Sequence, residues 1–224
     1  MQPKGGRWNP RADFEPAILR RNPAITPEQF AAAFELGNRF MDSAESTPDL
    51  DHYHAAMLES LDIPATADLL AELVRPVPAD VVLELFDDVA PTHKALRSRG
   101  IRMAVVSDAW PNLPTLHAEL GIHDFFEAYA ISAELGCRKP DPRMYHHASN
   151  ALALNPAACL FVDDSPDLVA AAINLGYQAR WLRRANEAAE VSDGDGDGDV
   201  DGDGDGANFD VPAISTLTEL LDLF

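Results

Sequence analysis

The stretch that decides the fold is GIRMAVVSDAW, residues 100–110. It starts with a glycine and continues as an apolar run over 101–106, which is followed directly by the polar residues Ser107 and Asp108. Such runs alternate with helical segments through the rest of the chain, and the expected strands are 101–106, 128–131, 159–162, 178–182 and a weak 209–214. Strands that alternate with helices at this spacing predict an α/β fold, with a doubly wound parallel sheet that has helices on both faces.

The part of the chain before this region has helical periodicity and no convincing strand. Thr26-Pro27-Glu28-Gln29 is typical of a capping box at the start of a helix. Further helices are expected at 50–61, 66–75 and 79–88. The predicted organisation is an irregular segment at 1–24, a helical cap at 25–89, and an α/β core at 90–224 with a flexible Asp/Gly insertion at 192–207.

Composition excludes several classes of function. The chain has 224 residues, of which 46% are hydrophobic, so it can bury a core. It has 17 Lys+Arg against 37 Asp+Glu, and a net charge of -20 opposes binding to nucleic acid or to anionic lipid. No apolar stretch approaches the roughly 18 residues of a membrane span, and the start of the chain does not resemble a signal peptide. We therefore expect a cytoplasmic protein with neither nucleic acid nor membrane as partner, and its oligomeric state is left open.

Chemically useful side chains follow three of the predicted strands. Ser107 and Asp108 follow the first, Lys139 lies in the loop after the second, and Asp163 and Asp164 follow the third. Because ligands collect beyond the carboxyl ends of parallel strands, we expect these groups to converge. A hydroxyl, an ammonium and a carboxylate pair together suit a phosphate monoester bound with Mg²⁺.

Each of these residues also has a purely structural interpretation. Ser107 could cap a helix, and the aspartate pair could cap the helix that begins at Pro166. Lys139, one of three lysines in the chain, could simply be exposed to solvent. The order and spacing of the three groups favour the functional interpretation over these alternatives.

Three segments, in order along the chain, resemble motifs of the haloacid dehalogenase (HAD) superfamily of aspartate-nucleophile hydrolases. They are Val105–Trp110, Ile131–Tyr145 and Phe161–Asp167. The resemblance implies a Rossmann-like core preceded by a helical cap. It also implies that Ser107 binds a phosphoryl group with Asp108 beside it, that Lys139 stabilises the reacting charges, and that Asp163 and Asp164 hold Mg²⁺. The carboxylate pair resembles that of phosphatase-type members, which implies a small phosphorylated metabolite as substrate.

The sequence departs from the family pattern in one decisive place. The family nucleophile lies in an Asp-x-Asp motif after the first strand, upstream of the cap, and no such motif occurs here. The upstream candidate Asp13 follows no apolar strand, so the core is expected to be incomplete at its first strand. A smaller departure is Asp108, where the family commonly has Asn.

Two explanations of the missing motif stay open. In the first, the motif precedes Met1 in a longer protein, which would be a Mg²⁺-dependent phosphatase. In the second, the protein is a catalytically inactive relative with a binding or regulatory role.

The Asp/Gly tract and the histidines have simpler interpretations. The Asp/Gly tract resembles the start of a calcium loop, but Gly204 stands where that loop needs Glu, and we expect a solvated insertion. The seven histidines show no metal-binding spacing.

Overall fold

The computed structural model describes residues 1–4, 6–8, 10–11, 13–184 and 211–224. Within these ranges the α-helices are α1 Phe14–Leu19, α2 Pro27–Ser43, α3 Leu50–Ser60, α4 Ala67–Leu73, α5 Ala79–Val82, α6 Val89–Ser98, α7 Leu113–Glu119, α8 Ser132–Leu135, α9 Pro142–Ala151 and α10 Pro166–Asn174. The strands are β1 Gln2–Pro3, β2 Leu83–Glu84, β3 Ala104–Ser107, β4 Ala128–Ile131, β5 Leu160–Asp163, β6 Gln178–Leu182 and β7 Ala213–Ile214. None of the helices in the described ranges is long and apolar enough to cross a bilayer.

The core strands are parallel, as the sequence predicts. β3 pairs with β4 so that Ser107 lies opposite Ile131. β5 pairs with β6, and β6 pairs with β7, again in parallel. Helix α9 packs against β3 and β4, while α10 packs against β5 and β6. Parallel strands joined by helical crossovers confirm the α/β architecture.

The core sheet is divided between β3 and β5. No backbone ladder joins these two strands in the described part of the chain, so the parallel strands form a two-stranded and a three-stranded sheet. A cavity of about 1000 Å³ lies between them and is lined by residues of both strands. All residues of β3 and β5 are only half-buried, although central strands of a doubly wound sheet are normally covered. The core is therefore incomplete in its middle.

The helices of the first third pack around a separate apolar cluster. Phe14, Phe30, Tyr53, Met57 and Leu69 are members of it, and each is at most 3% exposed. The predicted capping box is confirmed at the start of α2. The Gln29 backbone N–H donates to the Thr26 hydroxyl at 3.3 Å, and the Thr26 backbone N–H donates to the Gln29 side chain at 2.9 Å.

Two local predictions for this region are wrong. The segment expected to be irregular contains α1, which forms because Phe14, Ala17 and Ile18 fall on one helical face that is buried. The helix expected over 79–88 ends at Val82, since the next two residues pair antiparallel with β1. The Asp/Gly insertion predicted at 192–207 lies outside the described residues.

Candidate active site

The carboxyl ends of β3 and β5 carry two of the predicted site residues. Ser107 is the last residue of β3, and Asp163 is the last residue of β5. β3 both starts and ends later than the predicted run 101–106. Ser107 therefore lies inside the strand rather than after it. Lys139 comes from the loop between α8 and α9, and it crosses to the β5 side of the site.

Lys139 and Asp163 form a buried ion pair. The Lys139 Nζ lies 2.6 Å from the Asp163 Oδ2, and the two side chains are 10% and 8% exposed. The other carboxylate oxygen, Oδ1, accepts the backbone N–H of Ser165 at 3.0 Å. Lys139 is therefore not the solvent-exposed lysine of the structural interpretation, and Asp163 has a hydrogen bond on each oxygen.

Asp108 holds the lysine loop in place. Its Oδ1 accepts the backbone N–H of Lys139 at 3.0 Å. The carboxylate is thus directed at the main chain of the loop. Asp108, which directly follows Ser107, therefore contacts the loop that carries Lys139.

Asp164 follows the end of β5 and is exposed to solvent. Its backbone carbonyl accepts the Trp181 indole N–H at 2.9 Å. Magnesium requires near-octahedral oxygen coordination, and a site for it needs carboxylates that converge. The described residues contain no group of three or more His, Cys, Asp or Glu side chains placed to hold a metal ion. Since Asp163 is already engaged on both oxygens, these residues do not fit a complete magnesium site.

Three residues that the sequence analysis missed tie the site loops to the helical region. The Trp110 indole N–H donates to the carbonyl of Pro48 at 2.7 Å. The hydroxyls of Ser132 and Thr47 lie 2.5 Å apart, and the Arg138 guanidinium donates to the carbonyl of Met41. The loops after β3 and β4 are therefore fixed against the end of α2 and the segment that follows it. Trp110, Ser132 and Arg138 all lie in the segments that resemble family motifs. Their partners are far away in the sequence, so the spacing of residues could not predict these contacts.

A second missed cluster lies at the same edge of the core. Arg184 donates to the Asp88 Oδ1 at 3.0 Å, and the Leu217 backbone N–H donates to Oδ2 at 2.8 Å. Burial raises the pKa of Asp88, but these hydrogen bonds outweigh it and hold the pKa below its usual value. The pKa of the Met1 amine is also lowered, by burial first and then by Arg184. This cluster joins both ends of the chain, which no local pattern could have indicated.

Asp13 lies away from the strand ends, at the start of α1. The guanidinium of Arg11 lies 2.5 Å from its Oδ1, and Arg75 also forms an ion pair with its carboxylate. Burial raises the pKa of Asp13, yet the hydrogen bonds from the two arginines outweigh this and lower it. Asp13 is therefore a structural residue of the helical region, as its sequence context indicates.

Comparison with known proteins identifies a family match and several relatives. The family of haloacid dehalogenase-like hydrolases matches residues 10–176. A glyceraldehyde 3-phosphate phosphatase of Methanopyrus kandleri is 33% identical over 90 residues, which are 38% of this chain and 37% of that protein. An (S)-2-haloacid dehalogenase of a Pseudomonas species is 27% identical over 158 residues, 69% of this chain and 65% of that protein. The chain thus spans less than two thirds of either relative.

A solved structure shows the same fold. L-2-haloacid dehalogenase from Xanthobacter autotrophicus superposes with a TM-score of 0.64 at 20% identity, covering 93% of this chain and 90% of that one. The likeness extends over the helical region as well as the α/β core, so the division of the core sheet occurs within an otherwise familiar Rossmann-like arrangement.

Proposed function

The chain belongs to the haloacid dehalogenase-like hydrolases, and we propose that its site takes the phosphoryl group of a small phosphorylated metabolite in the cytoplasm. The observation that carries this proposal is the buried Lys139–Asp163 pair at the carboxyl end of β5, together with Asp108, the neighbour of Ser107, which accepts the Lys139 backbone N–H. A hydroxyl donor and a buried ammonium at this position suit an anion with several acceptor oxygens.

Each group has a distinct part in binding. The Ser107 hydroxyl donates to a phosphoryl oxygen, and the Lys139 ammonium neutralises charge on the phosphoryl group. An ammonium has three N–H donors, so its bond to Asp163 leaves two for the ligand. Asp163 holds the ammonium in place, and Asp108 fixes the loop that carries Lys139.

A phosphate ester is favoured over a haloacid by the Asp163-Asp164 pair. Consecutive carboxylates after this strand resemble phosphatase-type members, and dehalogenating members do not need a metal. The relatives include a phosphatase and a dehalogenase, so they do not distinguish a phosphate ester from a haloacid as substrate. The preference for a phosphate ester therefore rests on the residues of this chain.

Magnesium enters the proposal only with an additional ligand. Asp164 is the exposed carboxylate of the pair and would face the ion, while Asp163 is held by Lys139 and Ser165. At least one more carboxylate, from outside the described residues, would complete the coordination. A bound ion would neutralise phosphoryl charge.

A second function, binding without turnover, is favoured by the ion pairs that hold Asp13 in the helical region. This residue is the candidate N-terminal carboxylate, and two arginines hold it in the helical region. Covalent phosphoryl transfer in this family needs an aspartate nucleophile at the site. The described residues offer binding groups there without that nucleophile, which suits a phosphate-binding or regulatory protein.

Calorimetric titration with inorganic phosphate tests the binding proposal. We expect Lys139→Met to weaken binding at least about tenfold, because a charge-assisted hydrogen bond is lost. Lys94→Met is the matched control, since Lys94 is exposed on α6, and it should bind as the unmodified chain does.

Because Lys139→Met leaves Asp163 unpaired and could unfold the chain, Ser107→Ala provides a second test. We expect it to weaken phosphate binding several-fold while the fold is retained. Phosphate affinity that is equal in the unmodified chain, Ser107→Ala and any folded Lys139→Met protein would overturn the proposal.

A further inference from the structure

Two buried hydroxyls join the helical region to the loop that follows β3. Thr47, from the segment between α2 and α3, is 7% exposed, and Ser132, the first residue of α8, is fully buried. Their hydroxyl oxygens lie 2.5 Å apart. The Ser132 oxygen also accepts the backbone N–H of Ala109 at 3.0 Å, so one buried oxygen connects three separate segments of the chain.

The hydrogen between the two hydroxyls belongs to Thr47. A hydroxyl donates one hydrogen and accepts up to two. If Ser132 donated to Thr47, the Thr47 hydrogen would have no acceptor in the described part of the chain, which is costly for a buried group. With Thr47 as the donor, Ser132 can donate to the Ala109 carbonyl at 3.4 Å, and both hydrogens have an acceptor.

A second contact fixes the same loop to the same segment. The Trp110 indole N–H donates to the Pro48 carbonyl at 2.7 Å. The Trp110 ring also lies 6.0 Å from the ring of Tyr53, a fully buried residue of α3. Two consecutive residues of the loop are therefore held by residues 47 and 48, and the loop has a defined position relative to the helical region.

These contacts lie one residue from the carboxylate that holds the lysine loop. Asp108 directly precedes Ala109, and it accepts the Lys139 backbone N–H at 3.0 Å. The Lys139 ammonium in turn pairs with Asp163 at 2.6 Å. A continuous series of hydrogen bonds and one peptide bond thus leads from Thr47 to the ammonium, and coupling between distant groups is carried by such contiguous networks.

We propose that Thr47 is a positioning residue for the anion site. Its hydroxyl fixes Ser132 and the loop after β3, and it thereby holds Asp108 and the loop of Lys139 in the arrangement that binds phosphate. For its ligand this role rests on the proposed function, whereas the positioning of the loop is measured without ligand. A change in the contact between the helical region and the core would therefore change the affinity for the anion.

Amide exchange of the unliganded chain tests this role through Thr47→Ala. We expect exchange at the Ala109 and Lys139 amides to become at least about fivefold faster, because the loop after β3 loses an anchor. The Gln178 amide is the internal reference and should keep its rate. It donates to the Cys159 carbonyl at 3.1 Å, on the β5–β6 side of the core.

Two further variants separate positioning from general stability. Thr47→Ser keeps the hydroxyl and should restore the exchange rates of the unmodified chain. Thr92→Ala is the matched control, because it removes the same atoms from a residue of α6 that is 2% exposed. It should leave exchange at Ala109 and Lys139 unchanged relative to Gln178. If Thr47→Ala does not fold, Thr47→Val supplies the same comparison.

Calorimetric titration with inorganic phosphate gives the second readout. We expect Thr47→Ala to weaken binding at least about threefold, while Thr47→Ser and Thr92→Ala bind as the unmodified chain does. If the unmodified chain does not bind phosphate, the proposed function fails, and amide exchange alone decides the role of Thr47. Exchange at the Lys139 amide that is equal in Thr47→Ala and the unmodified chain would overturn that role. So would equal affinities of these two proteins for phosphate.

Discussion

The interaction of Lys139 with Asp163 determines what the site can do. A pair with side chains 10% and 8% exposed is costly to bury, and it is retained only where its geometry is well satisfied. Here the lysine is held at 2.6 Å, while its loop is fixed by Asp108. The ammonium is therefore positioned before a ligand arrives, which lowers the entropic cost of binding.

Asp108→Asn provides a sharp test of the site's electrostatics. The asparagine carbonyl can still accept the Lys139 N–H, while the negative charge beside the bound anion is removed. We expect inorganic phosphate to bind about fivefold more tightly, which is the effect of about 1 kcal/mol of relieved repulsion. Calorimetric titration measures it.

Asp108→Ala separates charge from positioning, because it removes the loop hydrogen bond together with the charge. It should gain less affinity than Asp108→Asn, or lose affinity. An asparagine variant that binds phosphate no more tightly than the unmodified chain would contradict the role given to this carboxylate.

The residues at the strand ends were predictable because a parallel sheet brings them to one edge whatever the loops do. Ser107, Lys139 and Asp163 were predicted in this way. The structure places Ser107 and Asp163 at the ends of β3 and β5 and pairs Lys139 with Asp163. Arg138, Trp110 and Arg184 were not predicted, since each acts through a partner more than 60 positions away. Only the packing of the helical region on the core defines those contacts.

At the scale of elements, helix boundaries follow from local chemistry. Thr26 and Gln29 form a reciprocal capping box at the start of α2, and Asp141 caps α9 through the Arg143 N–H at 2.9 Å. The start of α2 was predicted correctly from the sequence. The end of α5 was not, because pairing of residues 83–84 with β1 depends on the distant N-terminus.

Thr26→Ala should lower the free energy of unfolding by about 1 kcal/mol, because it leaves a backbone N–H of the first helical turn without its side-chain acceptor. Thr115→Ala, an exposed position within α7, is the matched control and should change stability much less. Urea unfolding of both variants measures the difference. Equal stability losses would show that the capping box contributes nothing specific.

Across the whole molecule, burial of histidines couples stability to pH. His54 and His117 are 3% and 6% exposed, and burial is the main cause that lowers the pKa of each to about 4. An unfolded histidine has a pKa of about 6.5, so the unfolded chain takes up protons first as pH falls. The stability from each neutral histidine is thus complete above about pH 6.5 and decreases toward pH 4, by up to about 3 kcal/mol.

His54→Phe should flatten this dependence. The Nδ1 of His54 has no hydrogen-bond partner among the described residues, and its ring already stacks on Phe14 at 5.9 Å. We expect urea unfolding between pH 7 and pH 4.5 to show a shallower loss of stability in this variant. His147→Gln, at an exposed position, should keep the slope of the unmodified chain. Identical slopes in all three proteins would contradict the assignment.

The overall architecture was predictable because alternating strands and helices permit few topologies. The sequence also indicated that a first strand was missing. How the core accommodates the missing strand was not predictable from the sequence, because β3 and β5 would equally satisfy their backbone groups by pairing with each other. The structure instead keeps β3 and β5 apart, with a cavity of about 1000 Å³ between them.

The measurement that tests the central claim most directly is turnover of p-nitrophenyl phosphate by the purified 224-residue chain in the presence of Mg²⁺. The claim is that Ser107 and Lys139 bind a phosphoryl group, with Asp163 holding Lys139 in place, while the Asp-x-Asp motif that carries the family's nucleophile does not occur upstream of the cap in this sequence. We expect inorganic phosphate to bind and p-nitrophenol to be released no faster than in buffer. Magnesium-dependent release that is abolished by Asp164→Ala would contradict the account.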